Sequence, residues 1–481
     1  MPALPRHKTK IVATIGPASE SPAMIARLLA AGMNIARLNF SHGDFASHGE
    51  RIVRLRAAEQ AAGRRLAIMA DLPGPKMRLG RIEPEPIQLA PDDHFTLTTA
   101  DVVGDARRVS MSFPQLPSVV KPGDRLFLND GLVQLLVERV NGPDVECRVA
   151  VGGELRSRKG LNLPGIDLGI SAFTDHDRAC LAFALAQGVD AVSQSFVETA
   201  ADIHAVREAA AALGHRPFVI AKIERAGALQ NFDQILQAAD GIMIARGDLG
   251  VEVPIHEIAV LQKRLIAQAT LAGKPVITAT QMLESMVASR LPTRAEATDV
   301  ANAILDGTDA IMLSGESAAG KFPAEAVAML AEIATFTEAH RPPTRLADLR
   351  ALIRSTKPTN AAEGISAVVE HALETVPCAA VLVPTGSGAT ARKLARYKPG
   401  VWTIALSRDP AVRQGLAFSY GVHPVELADD PDCWRTFARD WLAAHEVPGD
   451  IAMLVAGPSP RSPEANHRIE FLRLNAPPPK A

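Results

Sequence analysis

Polar residues able to handle a phosphoryl group recur at the ends of short apolar runs in this chain. Arg37, Asn39 and Ser41 alternate along Arg37-Leu38-Asn39-Phe40-Ser41, and Asp71 closes the following run. Ser195 ends a fourth run and Lys222-Ile223-Glu224 a fifth. Arg246-Gly247-Asp248, Thr278 with Thr280, and Ser314-Gly315-Glu316 end the last three. Residues two apart on an extended strand point the same way, so each such pair shares a face. One pair alone reads equally well as a salt bridge capping a core. Repetition at successive strand ends is hard to ascribe to packing, because buried charge is costly unless paired or used.

The residue types narrow the chemistry. Glu224 and Asp248 are two carboxylates, Lys222, Arg37 and Arg246 bring positive charge, and Thr278 and Thr280 bring hydroxyls. No His-rich cluster and no HExxH pair is present to suit zinc. Magnesium takes one or two carboxylates with substrate oxygens and waters, a need that Glu224 and Asp248 fit. Cations beside such an ion suit a transferring phosphoryl group, where catalysis is mostly positioning and charge neutralisation. Backbone amides near Gly247 and Asp248 lead into a helix, where a substrate carboxylate can be held.

Elements able to converge these ends are legible in the pattern. The runs Lys10–Ile15, Asn34–Ser41, Leu66–Leu72, Asp190–Phe196, Phe218–Glu224, Gly241–Asp248, Pro275–Gln281 and Ala310–Glu316 are nearly continuous and β-branched, as buried parallel strands are. Helices between them open at Ser21-Pro22, at Thr174 with Asp177 and at Thr199 with Asp202, closing at Gly32, Gly188 and Gly214. Eight strands, seven followed directly by a helix, predict a (β/α)₈ TIM barrel over 1–72 and 170–340. An open doubly wound sheet is the competing fold. From 73 to 169 the helical period vanishes, and Asn129-Asp130-Gly131, Asn141-Gly142 and Gly152-Gly153 signal hairpins. The expectation is an inserted β-barrel-like lid domain after the third strand, above the barrel mouth. A Pro- and Arg-rich linker at 341–360 precedes a C-terminal α/β domain over 361–481. Its strands are expected at Ala379–Val383, Val401–Ser407, Val422–Leu427, Ile451–Ala456 and Arg468–Leu474.

Composition bounds the remaining classes. At 481 residues the chain is long enough for two to four domains, and 47% hydrophobic with 22% charged residues is ordinary for a globular protein. A net charge of −2 offers no long-range field for nucleic acid or an anionic membrane. Cys147, Cys180, Cys378 and Cys433 lie far apart, as idle thiols in a reducing compartment do. The basic N-terminus is followed by too short an apolar run for a signal peptide, and no stretch is long enough to span a bilayer. A cytoplasmic location is expected, with neither nucleic acid nor membrane as partner.

Five motifs in order then resemble one family. Ala36-Arg37-Leu38-Asn39-Phe40-Ser41-His42-Gly43, Ala221-Lys222-Ile223-Glu224, Ala245–Gly250 (ARGDLG), Ala279–Met286 (ATQMLESM) with Pro292–Glu296 (PTRAE), and Met312–Glu316 (MLSGE) are similar to pyruvate kinase signatures. The resemblance covers essentially the whole chain. It implies phosphoryl transfer from phosphoenolpyruvate to ADP, giving pyruvate and ATP in glycolysis, by an allosteric homotetramer using Mg2+ or Mn2+. Residue by residue it implies that Lys222 neutralises the phosphoryl group in flight, while Glu224 and Asp248 hold the metal. Arg37 contacts the phosphates, and Thr280 stands near the methylene carbon of the enolate. Asn39 and His42 lie towards the nucleotide, Arg78 closes with the lid, and Ser195 and Phe196 line the substrate pocket with Gly247 and Asp248.

Departures from the family pattern sharpen this reading. Asn39, Ser41 and Asp71 match its potassium site, but Leu72 replaces the commoner Thr and Lys76 the commoner Glu. A lysine beside the phosphates supplies the charge that potassium otherwise brings. A cation–anion pair ~4 Å apart is worth about 4 kcal/mol at an effective dielectric near 20. Leu72 with Lys76 resembles the potassium-independent branch, so potassium is expected not to be required. Gly315–Lys321 mimics a phosphate-binding loop but continues with Phe322 rather than Ser or Thr. His176 and Ala319 stand where the family often has lysines near the nucleotide. Ser407-Arg408-Asp409-Pro410 replaces a Ser/Thr-rich phosphate loop, and Asp409-Pro410 reads as a helix start. Fructose 1,6-bisphosphate is therefore not expected as activator, while Arg408, Arg392 and Lys393 leave another phosphorylated effector open. Two other readings remain at this point: a magnesium-dependent pyruvate aldolase on a related barrel, and a catalytically silent scaffold.

Overall fold

The computed structural model describes residues 3–352, 361–457 and 466–475. Eight parallel strands close into a ring: β1 (Lys10–Thr14), β2 (Ile35–Asn39), β3 (Ala67–Leu72), β4 (Ala191–Gln194), β5 (Phe218–Ile223), β6 (Gly241–Ala245), β7 (Val276–Ala279) and β8 (Ala310–Leu313). Each strand pairs with the next, β3 with β4 across the insertion, and β8 closes on β1 with Lys10 opposite Ala310. Closure excludes the open doubly wound sheet.

Both faces of these strands are buried, which explains their continuous apolar sequence. Val12, Met69, Ile220, Met243, Ile277 and Met312 pack in the barrel interior. Their neighbours Ile11, Ala13, Ile68 and Ala70 belong to the strand–helix layer outside. Surrounding helices start where capping chemistry predicts. Ser21 accepts the Met24 N–H ahead of Pro22–Ala31, and Thr174–Asp177 and Thr199–Asp202 form capping boxes.

All of these strands but the third stop earlier than the apolar runs predicted, those ending at Ile15, Ser41 and Glu224 by one or two residues. The runs to Phe196, Asp248, Gln281 and Glu316 end as strand at Gln194, Ala245, Ala279 and Leu313. At the mouth the backbone turns out of the sheet. Phe196, Thr280 and Gln281 have φ of 59°, 70° and 53°, and short helices begin at Arg246 and Gly315. The two-residue alternation therefore lapses just where the candidate site residues lie.

Between β3 and the helix Asp175–Ala186 the chain forms a sheet of six strands. Their order is Leu161–Asn162, Arg125–Leu128, Val133–Asn141, Asp144–Val151, His94–Thr98 and Arg108–Ser110. Phe95, Leu97, Leu126 and Leu135 form its own core. The sheet is open rather than barrel-like among the described residues. Asn129-Asp130-Gly131 and Asn141-Gly142 turn hairpins, as predicted. Gly152-Gly153 does not: there the chain leaves the sheet and Gly153–Leu155 pairs with Ile87–Leu89. A Cβ at Gly152 would stand 2.3 Å from the Leu89 carbonyl oxygen, so only glycine permits that approach.

The stretch expected as linker carries a helix at Leu346–Leu352, and 353–360 lies outside the described residues. Beyond it, β9 (Ala380–Pro384), β10 (Trp402–Ser407), β11 (Val422–Glu426), β12 (Ile451–Ala456) and β13 (Arg468–Arg473) order as β11-β10-β9-β12-β13, the last antiparallel. No helix among the described residues is long and apolar enough to cross a membrane.

The C-terminal domain closes the lower end of the barrel. Phe418 joins the interior cluster and stacks on Phe218, ring centroids 5.2 Å apart. Beside it Asp309, just before β8, accepts the Lys398 ammonium at 2.7 Å and the Tyr420 N–H at 2.9 Å. Both side chains of the ion pair are buried, so removing one charge strands the other. Asp309→Asn is expected to cost about 3–5 kcal/mol, read from the urea midpoint of the full chain. A loss below about 0.5 kcal/mol, the range of ordinary surface substitutions, would refute this anchoring role.

Candidate functional site

Lys222, the penultimate residue of β5, sends its ammonium across the barrel mouth. Nζ donates to Ser195 Oγ at 2.6 Å and lies 3.3 Å from Glu224 Oε2 and 3.6 Å from Asp71 Oδ1. Burial alone would lower its pKa, but the charges of Asp71 and Glu224 outweigh that and raise it. Asp71, at the end of β3, is wholly buried and fully engaged. Arg37 donates to its Oδ2 from Nε at 2.8 Å and from Nη2 at 2.5 Å, and Ser193 Oγ donates to Oδ1 at 2.6 Å. Burial pushes this carboxyl up, yet Lys222 and Arg37 together hold it down at about 2. Arg37 Nη1 completes the chain by donating to Thr14 Oγ1 at 2.9 Å. One connected network thus ties the ends of β1 to β5.

Ser193 and Thr14 belong to this network and were not singled out from the sequence. Each had a signal. Ser193 stands two residues before Ser195 in the run that ends β4, and Thr14 is the hydroxyl at the end of β1.

Glu224 presents an incompletely satisfied carboxylate. Its Oε1 accepts the Phe196 N–H at 2.7 Å, while Oε2 is buried without a hydrogen-bond partner. Burial raises its pKa, Lys222 opposes, and the charge of Asp248 raises it further. An unsatisfied buried oxygen repelled by a second carboxylate is what a divalent cation relieves. The two residues fit a magnesium ion that keeps other positions for substrate and water.

Asp248 does not end a strand. It is the third residue of the helix Arg246–Glu252, which starts directly at the end of β6. Arg246, counted from sequence among the phosphate-facing cations, turns elsewhere. Its Nε donates to the Ala279 carbonyl at 3.3 Å and Nη2 to the Thr280 carbonyl at 2.9 Å, while Asp299 and Gln262 hold its Nη1. This fork pins Thr280 at φ 70°, a conformation β-branched residues avoid. So held, Thr280 Oγ1 accepts the Gly247 N–H at 2.7 Å and donates to the Ala279 carbonyl at 2.6 Å. The Gly247 amide must exchange this bond to hold a carboxylate. Thr278 points away from the site, its hydroxyl buried against Thr308.

A second group rims the mouth. Burial lowers the pKa of His42, and Lys76, Arg78 and Arg37 lower it further, which places three cations around it. Lys76 keeps contact with solvent, but most of its surroundings are protein. Burial and then the Lys222 and Arg78 charges bring it down to about 8, against the pull of Asp71 and Glu224. Arg78 donates to the Arg158 carbonyl of the inserted sheet at 3.0 Å. Asn39 Oδ1 accepts the Ser41 N–H at 3.1 Å. Leu72 is buried in the core, so its backbone alone can take part.

The phosphate-loop mimic at Gly315–Lys321 and the segment Ser407–Pro410 are both held by local contacts. Glu316, in the short helix Gly315–Ala318, accepts the Leu283 and Ser314 N–H groups and ties that helix to the segment after β7. Asp409 caps the helix Pro410–Leu416, as its sequence predicted. Arg408 pairs with Asp429 at 3.2 Å, and Arg392 donates to the Ser387 carbonyl.

Comparison with known proteins agrees with this geometry. The family description "Pyruvate kinase, barrel domain" matches residues 6–327, and "Pyruvate kinase, alpha/beta domain" matches 363–466. A pyruvate kinase of Thermococcus litoralis is 49% identical over 422 residues, spanning 88% of this chain and 89% of that one. One from Geobacillus stearothermophilus is 43% identical over 465 residues, spanning 94% of this chain and 78% of the relative. A crystal structure of a pyruvate kinase from Cryptosporidium parvum superposes with a TM-score of 0.88 at 33% identity, covering 98% and 96% of the two chains.

The fork from Arg246 yields a test. Arg246→Lys keeps the charge but not the two-carbonyl grip. Displacing Thr280 by about 1 Å is expected to lower turnover about 10²-fold, with KM little changed and the circular dichroism spectrum intact. Wild-type turnover in this variant would show that Thr280 holds its place unaided.

Proposed function

The chain belongs to the pyruvate kinase family, and we propose that its barrel mouth transfers the phosphoryl group of phosphoenolpyruvate to ADP, giving pyruvate and ATP. The observation that carries the residue assignment is Lys222, whose ammonium is the buried cation on which Asp71, Glu224 and Ser195 converge. Neither rival reading needs that convergence. An aldolase has no use for Lys222 or the inserted sheet, and a silent scaffold has no use for the complete network.

In the loose transition state of phosphoryl transfer, charge spreads over three equatorial oxygens. Lys222 is placed to meet that charge by exchanging its bond to Ser195 for one to the phosphoryl oxygens. Arg37, held by Asp71 and Thr14, cannot swing away and gives a fixed positive edge. Asp71 is spent on these two cations and so does not repel the incoming phosphate. Glu224 and Asp248 would hold a divalent ion, Mg2+ or Mn2+, which when bound supplies charge neutralisation to phosphoryl and enolate oxygens. Once the phosphoryl group has left, the enolate takes a proton at its methylene carbon. Thr280 Oγ1, already bonded as both acceptor and donor, suits the last position of that delivery path. The substrate carboxylate lies towards Gly247, Asp248, Ser195 and Phe196. The nucleotide lies towards Asn39, His42 and Arg78, with the inserted domain of 73–169 acting as a lid that excludes water.

Lys76 takes the role of potassium in this reading, and the surrounding charges support it. The ammonium makes no ion pair among the described residues and feels both Asp71 and Glu224. The enzyme is therefore read as potassium-independent. It is also read as a cytoplasmic, glycolytic homotetramer, with 341–360 as linker and 361–481 as the effector-type domain.

Lys222→Met should lower ADP phosphorylation by at least about 10³-fold, as loss of a principal transition-state charge does, in a coupled ATP assay on protein with unchanged thermal unfolding. Retained turnover would refute the role given to Lys222. Wild-type rates should be equal in potassium and in tetramethylammonium buffers, whereas Lys76→Glu should make the enzyme potassium-dependent. A wild-type rate that collapses without potassium would sink the assignment of Lys76. Removing divalent ions with EDTA should abolish turnover, and Mg2+ or Mn2+ should restore it.

A further inference from the structure

A cavity of about 480 Å³ lies at the end of the barrel opposite Lys222. It is bounded by the helix Pro323–His340, the segment 341–344 and the C-terminal domain. Its charged groups divide by whether their bonding capacity is already used. Glu338 is used: its oxygens accept the Lys8 N–H at 2.8 and 3.1 Å and the Thr9 N–H at 2.7 Å. Lys398 is used by Asp309.

Arg341 is used only in part. Nη2 donates to the Lys398 carbonyl at 2.7 Å, and the guanidinium lies 5.0 Å from the centroid of the Tyr420 ring. Nη1 is buried without an acceptor in hydrogen-bond geometry, and the Tyr420 hydroxyl is the polar group beside the guanidinium. The Lys8 ammonium has neither ion pair nor hydrogen bond among the described residues. Burial holds its pKa down against the pull of Glu338, and Arg341 adds to that effect. On the wall formed by the helix Ala361–Thr375, burial and Glu374 push Glu370 up to about 7. Its carboxyl lines the cavity, accepting a hydrogen bond when ionised and donating one when protonated.

A buried guanidinium nitrogen without an acceptor destabilises the wall unless an acceptor joins it, and the Lys8 ammonium, which is within reach of water, lines the same cavity. A guanidinium edge and an ammonium lining one cavity suit the oxygens of a phosphate or carboxylate. A carboxyl that can both donate and accept suits hydroxyl groups opposite. We propose that this cavity binds a small organic oxyanion on a hydroxylated carbon frame, its charged end between Arg341 and Lys8 and its hydroxyls towards Glu370. Arg392, Lys393 and Arg408 do not line it, so the site is separate from the effector region anticipated there. It is also independent of the roles assigned at the barrel mouth.

The test is titration calorimetry on the full chain with inorganic phosphate, glycerol 3-phosphate and malate. Saturable binding of at least one hydroxylated probe, tighter than inorganic phosphate, is expected. Preference for glycerol 3-phosphate marks a phosphate ester as the ligand class, and preference for malate marks a carboxylate. Arg341→Met and Lys8→Met should each weaken binding about tenfold or more, the worth of one charge-assisted hydrogen bond. Glu370→Gln should reduce the advantage of the hydroxylated probe over inorganic phosphate. Lys8→Met keeps the aliphatic packing and removes no side-chain hydrogen bond or ion pair among the described residues, so it remains informative if Arg341→Met unfolds. Absence of saturable binding with all three probes would overturn the proposal. So would affinity unchanged in Lys8→Met, or inorganic phosphate binding as tightly as both larger probes.

Discussion

The barrel mouth is organised around one buried carboxylate. Asp71 is almost inaccessible, and a lone charge there would be intolerable. It persists because Arg37 grips one oxygen while Ser193 and Lys222 approach the other. The compensation runs both ways. Asp71 keeps Lys222 charged in a buried place and aims the Arg37 guanidinium, so two cations stand ready without repelling each other apart. Five strands must be in register for this to happen, and a closed barrel provides that register.

Rigidity comes from the opposite end as well. The barrel interior is filled by Val12, Met69, Ile220, Met243, Ile277 and Met312, then plugged below by Phe418 from the C-terminal domain. Asp309 with Lys398 ties the same junction electrostatically. The side chains of the barrel mouth thus project from strands that have little freedom to shift. The unspent cations lie instead in the seam between barrel and C-terminal domain, where packing is less complete and a cavity remains.

Strained backbone appears where the strands give way to chemistry. Phe196 and Thr280 both have positive φ, and each offers a backbone or hydroxyl group to the site. Such conformations survive only when the surroundings over-determine them. For Thr280 the surroundings are Arg246, anchored by Asp299 from the helix Arg294–Leu305. The arginine of the motif Ala245–Gly250 here serves to position a neighbour.

Much of this was legible in the sequence because it is local or periodic. Continuous apolar runs between capped helices gave the barrel, and Lys222-Ile223-Glu224 placed its pair by alternation alone. The hairpins at Asn129–Gly131 and Asn141-Gly142 followed from residues that tolerate positive φ. Legibility failed where the period failed. Alternation cannot say that β6 stops at Ala245 or that β7 stops at Ala279, and so it misjudged Arg246 and Thr278. Gly152-Gly153 looked like a turn but serves a close backbone approach. The partners of Asp71 come from three other strands, Arg246 finds Asp299 across 53 residues, and Arg341 and Lys8 come to line one cavity only in the folded chain. Local composition fixes which groups can carry charge or turn the backbone. Only the folded chain decides which of those groups share a low-dielectric space, and that sharing sets their charge, their strain and their use.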